Sequence, residues 1–209
     1  MLGYNHLGKL GQLGNQMFQY ASLRGIAANK GYEFCIPDHD KMFVDILGNK
    51  LRIEIDKPFN LKYCEFRDNV EEQYVQEPGF TFSQEFYDNC PDDVSLVGYF
   101  QTEKYFNNIA DEIREDFTFK DDILEPCREM ISGVNAPIGL HIRRGDFLKN
   151  SGNHHNLDID YYRRALDMFP NNREVAIFSD DPQWCKKQEL FDEDRFLIAT
   201  GNSSYIDLC

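Results

Sequence analysis

Residues 138–147, I-G-L-H-I-R-R-G-D-F, set a histidine, two arginines, a glycine and an aspartate at the end of an apolar run. Each guanidinium offers five N–H donors and is permanently charged. Side by side, Arg143 and Arg144 suit a phosphate or pyrophosphate, gripped by paired, charge-assisted hydrogen bonds. Gly145 lets the backbone turn where a Cβ would obstruct, and Asp146 can brace an arginine or accept from a sugar hydroxyl. Taken alone, the stretch fits a surface Arg–Arg–Asp salt-bridge cluster equally well. Reading R-G-D as an adhesion tripeptide is weaker, because three residues recur by chance.

The surrounding pattern decides between these. A strand over 138–142 leads through a loop to about residue 158, then a helix over 160–168 and a strand over 174–178. A helix over 182–187 and a strand over 196–199 follow. Alternating strands and helices predict a parallel α/β sheet, whose ligands bind beyond the carboxyl ends of the strands. Those ends carry Arg143 and Arg144, then Ser179, Asp180 and Asp181, then Thr200, Gly201, Asn202 and Ser203. Arginines suit a diphosphate, and a carboxylate suits a guanine edge or the hydroxyls of a ribose, so the rim describes a nucleoside-diphosphate site. Asp180 and Asp181 as Mg²⁺ ligands is the lesser alternative, since two arginines already meet the negative charge. Asp-Asp-Pro also reads as a helix N-cap before Pro182.

The first part of the chain opens with a short strand over 2–6. Gly8, Gly11 and Gly14 follow, in a loop suited to close approach of a ligand. A helix over 15–30 is expected, with Asn15 as N-cap and Gly31 as its stop. Strand, glycine loop and helix start favour an anion, yet neither G-x-G-x-x-G nor the P-loop lysine is present. Further strands are expected over 32–36, 51–55, 61–66 and 94–100. Residues 71–92 read as an irregular insertion. Its aromatics (Tyr74, Phe80, Phe82, Phe86, Tyr87) are either packing residues, the favoured reading, or a sugar-stacking wall. A helix from about residue 106 buries Phe106, Ile109, Ile113 and Phe117 and turns Asp111, Glu112, Glu115 and Asp116 to solvent. A helix over 121–131 and a linker over 133–137 complete the order, with a domain boundary near Phe119.

The chain has 209 residues, 42% of them apolar, with 17 Phe and 11 Tyr, which is ample material for a core. A net charge of −14 argues against a nucleic-acid binder or docking on an anionic membrane. Six cysteines without C-x-x-C pairs give no zinc spacing and predict reduced, mostly buried thiols. Neither a leader pattern nor an apolar run of about 18 residues is visible, so a cytoplasmic protein without an integral membrane segment is expected. Asn202-Ser203-Ser204 fits a glycosylation sequon, with nothing else to suggest secretion.

G-Q-L-G-N-Q-M-F-Q-Y-A (residues 11–21), G-Y-F-Q-T-E-K-Y-F (98–106), H-I-R-R-G-D-F (141–147) and F-S-D-D (178–181) resemble α-1,2-fucosyltransferases of the bacterial and animal blood-group type. The resemblance implies a GT-B enzyme with two Rossmann-like domains facing a cleft. An acceptor-side α/β domain would cover 1–119 and a GDP-sugar-binding domain 120–209. Such enzymes move fucose from GDP-β-L-fucose to a galactose 2-hydroxyl, with inversion and without a cofactor or obligatory metal. By that analogy Arg143 holds the β-phosphate of the leaving GDP, His141 and Arg144 shape the pocket, and Asp180 or Asp181 reads guanine or ribose. Gly14, Asn15 and Gln16 face the cleft from the first domain. Asp146 and His141 are both candidates for the general base.

Two departures stand out. Gln12 occupies a position where the family often has arginine. The family also continues beyond the counterpart of 202–204, whereas here 204–209 reads as the start of a helix. An incomplete second domain with an exposed sheet edge is the expectation. The alternatives are a non-catalytic nucleotide-sugar-binding remnant, a fucosyltransferase of other linkage, or an unrelated α/β enzyme of phosphate esters.

Overall fold

A computed structural model describes residues 1–38, 40–46, 48–62, 64–67, 73–134, 136–152 and 154–209. Residues 63, 71, 72, 135 and 153, which fall within the strand, insertion, linker and loop expected above, lie outside the described residues. The chain forms two compact units, Met1–Lys120 and Asp121–Cys209.

In the first unit, β1 (Leu2–Gly3) leads to the long helix α1 (Leu13–Lys30), then β2 (Cys35–Pro37) and a small hairpin of β3 (Phe43–Val44) and β4 (Lys50–Leu51). Next come β5 (Glu65–Arg67), β6 (Tyr74–Gln76), α2 (Gln84–Asn89), β7 (Val94–Val97) and α3 (Ala110–Asp116). Strands β1, β7 and β6 pair in parallel, with β7 central, and β2 pairs in parallel with β5. A bridge from Leu2 to Phe34 joins the two ladders.

Helix α1 starts before the sequence suggests. Gln12 is the N-cap residue, without a side-chain cap, so Asn15 lies inside the first turn. The Asn15 amide instead accepts from Gln101 Nε2 at 2.6 Å. At the other end Gly31 takes φ 69°, and the amides of Gly31 and Tyr32 bond back to Ala28 and Ala27, closing the last turn. The glycine loop approaches its own chain. A Cβ on Gly8 would lie 2.5 Å from the Ile53 amide, and one on Gly11 would strike the Asn15 side chain.

The strand expected over 51–55 is only its first residue, for a definite reason. Leu51, Ile53 and Ile55 are buried in strand-like alternation, but their backbone meets a side chain instead of a neighbouring strand. Gln16 donates from Nε2 to the Arg52 carbonyl at 2.8 Å and accepts from the Glu54 amide at 2.8 Å. Gln16, expected to face the cleft, is fully buried, its amide committed to this segment. The helix expected from 106 is also broken. Phe106 and Ile109 take φ −135° and −133°, which divides the run into two short 3₁₀ turns before α3.

Asp116 does not belong to the solvated face. It is fully buried, accepting from Tyr20 Oη at 2.7 Å and the Lys62 amide at 2.9 Å, and pairing with Arg24. Burial lowers the Arg24 pKa, but the Asp116 carboxylate beside it outweighs that and raises it. Every polar atom named here has a partner, which is what makes burial of the charge tolerable.

The second unit comprises α4 (Asp121–Met130), β8 (Ile138–Ile142), α5 (Gly145–Lys149), α6 (Ile159–Leu166), β9 (Val175–Ser179), α7 (Pro182–Cys185), β10 (Phe196–Ile198) and α8 (Ser204–Leu208). Its sheet is parallel in the order β10-β9-β8. Ile138, Ile142, Val175, Ile177 and Phe196 pack one face against Tyr162 and Leu166 of α6 and Cys185 of α7. Helices α6 and α7 both pack on that face. Asp158 caps α6 by accepting from the Tyr161 amide at 2.8 Å. The short helix α5, hidden in the loop expected up to residue 158, starts directly after the arginine pair.

Candidate active site

The three strands of the second unit end on one rim. In register, Ile142 lies beside Ser179 and His141 beside Phe178. Ser179 ties the two strand ends together. Its Oγ donates to the Ile142 carbonyl at 2.7 Å and accepts from the Asp181 amide at 3.0 Å. Its hydroxyl is therefore spent on the scaffold.

The two arginines are each matched to carboxylates. Arg143 donates to Asp146 Oδ1 from Nε at 3.1 Å and from Nη2 at 2.7 Å, and its Nε lies 3.3 Å from Asp180 Oδ2. Arg144 donates from Nε to Asp181 Oδ2 at 3.3 Å, and its backbone amide donates to Asp180 Oδ1 at 2.8 Å. Two cations thus sit among three carboxylates. The cluster carries one negative charge in excess.

Asp180 is the hinge of this cluster, reaching both the Arg143 side chain and the Arg144 backbone. Gly145 makes the approach feasible, because a Cβ there would lie 2.6 Å from Asp180 Oδ2. Asp181 has two tasks. Oδ2 meets Arg144, and Oδ1 caps α7 by accepting from the Trp184 amide at 3.0 Å, with Pro182 in the first turn. Asp181 thus caps α7 and braces Arg144, while Asp180 is the carboxylate on the cavity.

Aromatic rings back both guanidiniums. Arg144 lies 4.0 Å from the centroid of Trp184, and Arg143 lies 5.3 Å from that of Phe147. Phe147 in turn stacks on His154 at 4.0 Å and 4°. Trp184 was missed by reasoning from the strand ends. The signal that finds it is the D-P-x-W spacing, since a cap at 181 holds the amide of 184 and fixes that ring beside the arginine.

In front of the rim lies a cavity of about 620 Å³, within the range of small-ligand sites. His141, Arg143, Phe178, Ser179 and Asp180 form one wall, and Asn202, Asp207 and Leu208 the other. Asn202 donates to Asp207 Oδ1 at 3.0 Å, and Ser203 caps α8 by accepting from the Ile206 amide at 3.3 Å. So His141, Arg143, Ser179 and Asp180 share one cavity, with Asp146 bonded to Arg143 at its edge. Arg144 and Asp181 stand behind it, on Trp184. Gly14, Asn15 and Gln16 belong to the first unit. Gly14 is exposed, Asn15 is bonded to Gln101, and Gln16 is internal. No three His, Cys, Asp or Glu side chains come together as a metal-ligand set among the described residues. No described helix is long and apolar enough to cross a membrane.

Comparison with known proteins gives this arrangement a family. An α-1,2-colitosyltransferase of Escherichia coli is 28% identical over 95% of this chain and 77% of its own length. The galactoside α-(1,2)-fucosyltransferase 1 of Bos taurus is 26% identical over 85% of the chain, and that of Homo sapiens 24%. The chain spans about half the length of these mammalian relatives (51% and 50%). Among solved structures, NodZ α-1,6-fucosyltransferase soaked with GDP-fucose matches 99% of the chain and 80% of its own, with TM-score 0.56 at 10% identity. NodZ from Bradyrhizobium matches with TM-score 0.59. At that identity the likeness is one of fold, an α/β architecture with Rossmann-like strands. The model of glycosyl transferase family 11 matches residues 3–209, and the chain belongs to that family.

Proposed function

We propose that the chain is the catalytic part of a GT-B α-1,2-fucosyltransferase, moving fucose from GDP-β-L-fucose to a galactose 2-hydroxyl with inversion and without a metal. Residues 120–209 bind the donor and residues 1–119 the acceptor. The observation that carries this reading is the arginine pair held by Asp146, Asp180 and Asp181 beside a ligand-sized cavity at the strand ends. Names of relatives support the linkage and NodZ supports the donor.

The chemistry follows from charge. As the C1–O bond of fucose breaks, the sugar gains oxocarbenium character and the diphosphate gains negative charge. Arg143, at the cavity wall, stabilises that charge more in the transition state than in the ground state. Arg144 holds the Asp180–Asp181 side in place, and Asp180 meets the ribose or the guanine. His141 lines the cavity without being committed to an arginine, whereas Asp146 already accepts two bonds from Arg143. His141 is therefore the better placed of the two to take the acceptor proton.

A second reading, transfer of colitose, is favoured by the E. coli relative. Incubating the chain with a β-galactoside and either nucleotide sugar, with and without EDTA, tests both. GDP release with a new α-1,2 linkage by NMR, unaffected by EDTA, is the expected result with the fucosyl donor. Binding of GDP without transfer or hydrolysis supports a non-catalytic remnant, and a folded chain that does not bind GDP sinks the proposal.

A further inference from the structure

The sheet rim of the first unit carries chemistry that the donor site does not use. Immediately after β7 the chain bends sharply over 98–100. Glu77, 8% exposed, accepts from the amides of Tyr99 and Phe100, both at 2.9 Å. Gly98 passes so near that a Cβ would lie 2.5 Å from the Glu77 side chain. Phe100 takes φ 51°, which side chains rarely adopt. The Phe100 ring is thereby driven into the core, edge-on to Tyr105 at 5.3 Å, while Tyr99 stays half-buried.

The aromatics of the preceding segment divide in the same way. Phe82, Phe86 and Tyr87 gather around Tyr105 at 4.8–6.3 Å, as packing residues. Phe80 does not join them. It is 82% exposed and lies face to face with Tyr99 at 6.4 Å and 24°. A buried carboxylate and a left-handed residue hold the half-buried Tyr99 in place beneath the exposed Phe80, so the pair is preorganised, and such constraint concentrates at functional sites.

Two residues beyond Tyr99, Gln101 adds an amide group, which donates to Asn15 Oδ1 at 2.6 Å. An aromatic face with an amide group close by in the chain matches a pyranose, with its apolar C–H face and its ring of hydroxyls. It does not match a nucleic-acid base, because a net charge of −14 repels the phosphate that comes with it. One ring pair is also far too small for a stable protein interface.

We propose that Phe80 and Tyr99 form the platform on which a pyranose ring of the acceptor stacks, with Glu77 as its positioning residue. The identity of that sugar as a galactoside rests on the transferase reading.

The test titrates methyl β-D-galactopyranoside into the chain by saturation-transfer NMR, with GDP affinity measured calorimetrically on the same samples. Phe80→Ala and Tyr99→Ala should each weaken the galactoside by roughly three- to tenfold, leaving GDP affinity as it was. Phe18→Ala, at a 37% exposed ring beside Phe106, should change neither. In turnover, Glu77→Ala should raise KM for the galactoside alone, with Glu77→Gln restoring it, since an amide oxygen still accepts. Unchanged galactoside binding in Phe80→Ala and Tyr99→Ala, or no galactoside binding by a chain that binds GDP, overturns the platform. If the chain does not bind GDP but binds the galactoside, and Phe80→Ala weakens that binding to the same extent, the platform stands and the donor-site reading falls.

Discussion

Replacing Arg143 by alanine probes the donor site most directly, and the expected loss can be worked from the geometry. The guanidinium makes two short bonds to Asp146 and an ion pair with Asp180. Its place on the cavity wall lets a diphosphate take over some of those donors. Two charge-assisted hydrogen bonds contribute roughly 3–6 kcal/mol in a dry site. The side chain is 33% exposed, so screening reduces this by about half. Alanine also leaves Asp146 and Asp180 facing the diphosphate with one cation fewer, which adds repulsion of about 1 kcal/mol. The sum, about 2–4 kcal/mol, corresponds to roughly a 30- to 700-fold loss of GDP affinity. Stability should hardly move, because a partly exposed ion pair contributes about 0–1 kcal/mol. Calorimetric titration with GDP, alongside thermal melting, separates the two effects. Arg143→Lys should fall between, keeping the charge and losing the fork. GDP affinity within about threefold of the parent in a stably folded Arg143→Ala chain would refute the diphosphate assignment.

Three further outcomes are expected. Gly145→Ala pushes Asp180 off the Arg144 amide and should weaken GDP by about tenfold; calorimetry that finds full affinity would remove Asp180 from the site. Asp116→Ala removes the buried acceptor shared by Tyr20, the Lys62 amide and Arg24 and should cost about 3–5 kcal/mol in urea unfolding, with Asp116→Asn milder because the amide oxygen still accepts. Burial, helped by the Lys9 charge, holds the His6 pKa below its ordinary 6.5. The neutral ring is the folded form, so its stabilisation is complete above pH 6.5 and is lost as pH falls through the lower folded value. Melting temperature should drop on acidification across that window, and His6→Gln should flatten that part of the profile.

How far the sequence could be read differs between the two units. In the second, apolar runs, turn residues and caps agree with one another, and strand 138–142 and the helices beginning near 121, 160 and 182 all appear within a residue or so. The arginine pair, Asp180 and Asp181 were visible because they end strands of one parallel sheet. What stayed hidden was their mutual neutralisation, since nothing in a linear sequence brings residue 144 to within 2.8 Å of residue 180. In the first unit, period-2 burial over 51–55 suggested a strand, but a buried glutamine took the place of the partner strand. Likewise the acidic stripe of 111–116 concealed Asp116, whose partners come from α1 and from residue 62. Side-chain substitutes for backbone pairing leave no periodic trace.

The close approach of Gly145 and Asp180 also sets limits on how this site can diverge. Thirty-six positions separate Arg144 from the carboxylate that holds its amide, yet the three residues are not free to drift singly. A Cβ at 145 would lie 2.6 Å from Asp180 Oδ2, so a side chain there must displace that carboxylate. A shorter residue at 180 would admit it, but only by releasing both the amide of 144 and the guanidinium of 143. Descendants of this chain should therefore keep Gly145 and Asp180 together or exchange them together. A lineage that had exchanged both would have lost the hold on its arginines, and with it the selective reason for retaining two of them.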